Sequence, residues 1–149
     1  MTTVKHAAIA GAVAALILSA PVLADELADG VATLPGAVED VRIGGTWEKD
    51  GESGAYRVII AREGSDVITA RLFIQWISYD DNGGAKLDQT VEIKEFADLK
   101  LDIVDYTSDS DSDGLSLFLE TLNPNNDADE SYELHVISPT DYRLSPATN

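Results

Sequence analysis

An antiparallel β-sandwich or small β-barrel with about seven or eight strands is the fold this chain predicts, and three observations predict it. Apolar residues recur at every second position in several short runs. Clusters of Gly, Asn, Asp and Pro separate those runs at intervals of roughly 8–12 residues. No internal repeat is long enough to mark a solenoid.

Taken in order, the chain opens on a leader pattern. Lys5 and His6 precede the apolar run AAIAGAVAALILSA at 7–20, and PVLA at 21–24 offers small residues for processing after Ala24. A bilayer span needs ~20 apolar residues, and this run meets Pro21 first. Residues 1–24 therefore read as a secretory signal peptide, with periplasmic or extracellular localisation and no stable membrane insertion after cleavage. Residues 25–37 read as a flexible arm or short helix, because Leu27, Val31 and Leu34 share a helical face while Gly30, Pro35 and Gly36 interrupt it. Residues 38–149 read as a single mainly β domain.

Within that domain, VEDVRIGGTW at 38–47 begins a strand that EKDGESG at 48–54 turns. Tyr56, Val58 and Ile60 then alternate with Arg57, Ile59 and Ala61, and EGSD at 63–66 reverses the chain. The run at 67–79 carries the strongest signal, with Ile68, Ala70, Leu72, Ile74 and Trp76 on one face and Arg71, Phe73, Gln75 and Ile77 on the other. Asn82-Gly83 is a hairpin signal because both residues tolerate positive φ. Further strands are expected at 90–96, 99–106, 115–122 and 132–138, with a polar turn at 123–130. A helix over Glu95–Tyr106 competes through the spacing of Phe96, Leu99 and Ile103; alternation through Leu101 favours strand.

Charge narrows the function. Removing the leader leaves 9 basic against 27 acidic residues, a formal charge of −18, with His135 the one remaining histidine. Such an average repels nucleic acid and anionic membranes, and no basic patch offsets it. With no Cys, neither disulfides nor a thiol nucleophile is available. An up-and-down meander would gather the turns at 48–54, 80–85 and 107–114 at one end, pooling Asp50, Glu52, Asp80, Asp81, Asp109, Asp111 and Asp113.

The acidic run SDSDSDGLSLFLE at 108–120 admits two readings. Asp109, Asp111, Asp113, Gly114 and Glu120 match D-x-[DN]-x-[DN]-G-x5-E, in which Leu115 would add its carbonyl and Glu120 would close a calcium site. Against this, LSLFLE alternates like a strand where an exit helix is required, so the run equally suits an acidic turn. Calcium is the one cofactor the sequence nominates.

Trp47, Tyr56, Phe73, Trp76 and Tyr79 raise a second prospect. Trp47 and Trp76 would line a concave surface for a small ligand, glycan or protein partner, with Arg71 and Gln75 supplying polarity. No catalytic residue is nominated: His135 and Ser138 lack a catalytic motif, and the glycines form no phosphate cradle. The expectation is a non-catalytic binding or accessory domain; the alternatives are an acidic-site hydrolase and a halotolerant structural scaffold.

Overall fold

The computed structural model describes residues 22–148, which divide into two units, one ending at Leu34 and one beginning at Pro35. The expected leader lies outside the described residues except for its last three positions, which open helix α1 (Val22–Ala32). Thr33 ends this helix, its backbone N–H and its hydroxyl both donating to the Asp29 carbonyl. The segment expected as an arm or short helix is thus helical through Ala32. Among the described residues, no helix is long and apolar enough to cross a membrane.

The second unit is an antiparallel β-sandwich of two four-stranded sheets. Strands β1 (Val38–Lys49), β2 (Glu52–Glu63), β3 (Thr69–Tyr79) and β4 (Ala85–Glu92) form one meander; β5 (Asp102–Asp111), β6 (Gly114–Asn123), β7 (Ala128–Ser138) and β8 (Asp141–Pro146) form the other. The sheets remain separate, so the barrel alternative does not apply. Period-2 alternation selects the buried faces. Tyr56, Val58 and Ile60 of β2 and Ala70, Leu72, Ile74 and Trp76 of β3 face Leu115, Leu117 and Leu119 of β6 and Leu134 and Val136 of β7 in one core. Each fully covered Leu or Ile contributes about 1.5–3 kcal/mol, which drives the two sheets together.

Between the meanders the chain does two things in turn. Helix α2 (Lys94–Leu99) forms first, with the Phe96 and Ala97 N–H groups donating to the Ile93 carbonyl. Lys100 then turns the chain in the left-handed region, at φ 57° and ψ 40°, and β5 follows. The strand expected at 99–106 is corrected accordingly: its first residues cap a helix, and pairing begins at Asp102. A bulge between Ile103 and Asp105 turns both Ile103 and Tyr106 inward, which explains apolar spacing that imitates a helix. The strand expected at 90–96 likewise lies earlier, at Ala85–Glu92.

α2 closes one end of the sandwich. Ile93 and Phe96 are completely buried beside Leu101, and backbone bonds from Ile93 to Leu72 and from Ala70 to Leu101 fasten this plug to β3. Arg62 of β2 adds a polar staple, donating to Asp102 Oδ1 and the Ile103 carbonyl, each at 2.7 Å. Elsewhere β1 approaches β5 closely because Gly45 has no side chain: a Cβ there would strike Ser110, while one on Gly44 would lie 2.8 Å from Val58 of β2. Ser110 Oγ accepts from the Thr46 N–H at 3.0 Å across this seam. Among the described residues, no helix plugs the end opposite α2 in this way.

Candidate ligand-binding site

Strand register brings the β1–β2, β3–β4, β5–β6 and β7–β8 turns to that opposite end. A cavity of about 600 Å³ opens there between the two sheets. Its aromatic wall is Trp47, Tyr56 and Trp76. Tyr56 and Trp76 meet edge to face, ring centroids 5.8 Å apart at 75°, a geometry that adds rigidity beyond area burial. Trp47 crosses Gly54, its β2 partner, and a Cβ at Gly54 would sit only 2.6 Å from the indole. The absent side chain is therefore what lets the ring lie against the strand. Trp47 Nε1–H is buried and has no acceptor among the described residues.

Two β-bulges shape the rest of the wall. Asp88 is the extra residue of β4 opposite Trp76 and Ile77, and Ile137 is the extra residue of β7 opposite Asp141 and Tyr142. Both line the cavity. Asp88 is clamped by Lys86 at 2.9 Å, which holds its carboxyl below the usual carboxylate range. Burial pushes the Tyr56 phenol up, and the nearby Asp111 carboxylate adds to the effect.

The four residues expected to form one ligand surface divide into two pairs. Trp47 and Trp76 line the cavity, but Arg71 and Gln75 lie an odd number of positions from Trp76 and occupy the outer face of the sheet. There Arg71 donates to Glu92 at 2.7 Å and stacks over Phe73, while Gln75 accepts from Arg57 and donates to Thr90. Tyr56, named among the aromatics but not assigned to that surface, completes the wall, and its parity with Val58 and Ile60 is the sequence signal for its inward face.

The acidic run resolves into a hairpin. Asp111 ends β5, Ser112 and Asp113 form the turn, and Gly114 begins β6. Asp111 Oδ1 accepts from the Asp113 and Gly114 N–H groups at 2.8 and 3.3 Å, so this aspartate serves the turn's own backbone. Asp109 accepts from Ser110 N–H, and the Leu115 side chain is core. Glu120 pairs with Asp105 and lies roughly 20 Å along the strand from the turn. Such separation cannot be closed by side chains, so the five residues nominated for calcium do not converge. Among the described residues, no group of three or more His, Asp or Glu side chains is placed to hold a metal ion.

On the outer face of the second sheet, His135 Nδ1 and Ser116 Oγ lie 3.0 Å apart. Register runs Asp109, Ser116, His135, Arg143 across the strands, so the aspartate neighbours the serine and the arginine neighbours the histidine. A nucleophilic triad needs a carboxylate behind the imidazole, and this order supplies a cation there.

Fold and cavity together describe an antiparallel β-sandwich with an acidic, aromatic-walled cavity at its open end. Comparison of the chain with protein-family models, curated proteins and solved structures gave no match.

Proposed function

We propose that this chain is an exported, non-catalytic binding domain that takes a small ligand, or the end of a larger one, in the cavity at the open end of the sandwich. The observation that carries this reading is the convergence of Trp47, Tyr56 and Trp76 from three neighbouring strands on one concavity of about 600 Å³. That is the usual form of a small-molecule site: rigid aromatic surface with a few polar groups around it. Export rests on the leader pattern of residues 1–24.

The hydrolase alternative draws less support. An acid–base pair needs carboxylates with pKa values pushed apart, one of them upward. Asp88, a carboxylate lining the cavity, is displaced downward, held by Lys86 as a fixed ion pair. Calcium draws support from the spacing of the 109–120 run, whose side chains do not converge, and the scaffold reading from the net charge.

The test uses the protein's two tryptophans as reporters. In ¹⁵N-labelled protein each indole N–H gives one resonance, and choline, cellobiose and benzoate are titrated separately. Saturable movement of both indole signals with at least one probe, lost in Trp47→Ala with the fold retained by circular dichroism, supports the reading. Unmoved signals with all three through the millimolar range would leave the scaffold as the better account.

A further inference from the structure

We infer that the cavity selects an organic cation, an alkylated ammonium group whose methyls or methylenes meet Trp47, Tyr56 and Trp76 while its charge faces the carboxylates around them. The inference rests on the binding reading above and adds the chemical class of the ligand.

Two independent features of the cavity point the same way. The wall carries three aromatic rings, Trp47, Tyr56 and Trp76, and the π-face of an indole or phenol attracts a cation with about 0.5–2 kcal/mol, more as water is excluded. Around it stand Glu48, Asp50, Glu52, Asp88, Asp111 and Asp113, against Lys49 as the sole lining cation. Lys86 neutralises Asp88, so the excess negative charge comes from the other five. Asp111 lies near enough to the aromatic wall to add to the burial that pushes the Tyr56 phenol up.

Other ligand classes fit less well. An anion would enter against this field. A bare divalent ion needs six to eight oxygens, and no three ligating side chains converge among the described residues. A neutral sugar would gain from the rings but nothing from the charge. Only a cation with an apolar surface uses both the wall and the rim.

Choline and 3,3-dimethylbutan-1-ol separate the two contributions, since they share shape and hydroxyl and differ in the charged nitrogen. Titrated into the full folded chain by calorimetry and by indole ¹⁵N shifts, choline is expected to bind about tenfold more tightly than the alcohol, a preference of about 1.4 kcal/mol. Added NaCl should shrink that preference, and Lys49→Gln should enlarge it. Trp47→Ala should abolish binding, and the milder Trp47→Phe should weaken it if the alanine variant does not fold. Equal or tighter binding of the alcohol would overturn the cation inference while leaving the cavity as a site. Choline binding that is indifferent to both Trp47 variants would place it on the acidic surface and overturn the inference as well. Failure of both compounds to bind would overturn the cation inference, and the binding reading would then be decided by the cellobiose and benzoate titrations.

Discussion

Tyr106 shows how one residue couples burial to pH. Its side chain is core, 5% exposed, and its hydroxyl has no partner among the described residues. Arg42 lies over the ring, 4.6 Å from its centroid. Burial, seconded by Asp40 and opposed by Arg42, raises the phenol from 10 to about 12. Between those values an unfolded tyrosine gives up its proton and the folded one keeps it. The unfolded state then binds fewer protons, so stability present below pH 10 falls as pH rises toward 12, by about 2–3 kcal/mol for this residue. Tyr106→Phe should remove the part of that loss reached by pH 11, about 1.4 kcal/mol, measured by urea unfolding at pH 8 and pH 11. At neutral pH the same variant should be unchanged or more stable by about 1 kcal/mol, because an unsatisfied buried hydroxyl is gone. Marked destabilisation at neutral pH would show that the hydroxyl is satisfied.

Among elements, the α2–β5 junction is a local pattern that the sequence leaves ambiguous between helix and strand. Apolar residues at three- and four-residue spacing from Phe96 compete with alternation through Leu101, and each pattern governs half the segment. The boundary is Lys100, a branched-chain-free but non-glycine residue held at positive φ. Glycine favours that position, since a side chain there costs roughly 1–2 kcal/mol against the following carbonyl. Lys100→Gly should therefore stabilise the fold by about 0.5–1 kcal/mol after the added freedom of the unfolded chain is subtracted, visible as a higher thermal midpoint. A lower midpoint would mean that Lys100 makes a stabilising contact outweighing its backbone strain. Strand existence was legible elsewhere because a half-buried strand writes its burial as alternation; Leu115, Leu117 and Leu119 spell out one face directly. Bulges at Asp88 and Ile137 were not legible, since an extra residue in one strand is defined only by its partner.

At the scale of the whole molecule, charge dominates. The formal −17 of the full sequence repels itself at low ionic strength, and the four turns at the open end gather part of it. Screening should raise stability: the thermal midpoint is expected to climb from 10 mM to 1 M NaCl as the Debye length falls from about 30 to 3 Å. Adding a chelator at constant ionic strength should leave the midpoint where it was, because screening is indifferent to ion identity. A drop on chelation, restored by calcium alone, would instead establish a coordinated ion and return attention to the 109–120 run. The site was half legible at this scale. Trp47 and Trp76 stood out by type, but Arg71 and Gln75 were grouped with them by proximity along the chain, which the pleat converts into opposite faces.

The sequence by itself determined which residues face inward and where the chain reverses, because strand alternation and turn chemistry act between near neighbours and need no knowledge of the rest. Only the tertiary structure decided that Trp47, Tyr56 and Trp76 share a cavity, that α2 closes one end and leaves the other open, and that Glu120 stands apart from Asp111 and Asp113. Those outcomes depend on register between strands distant in the chain and on how two sheets stack, and no short window of residues contains that information.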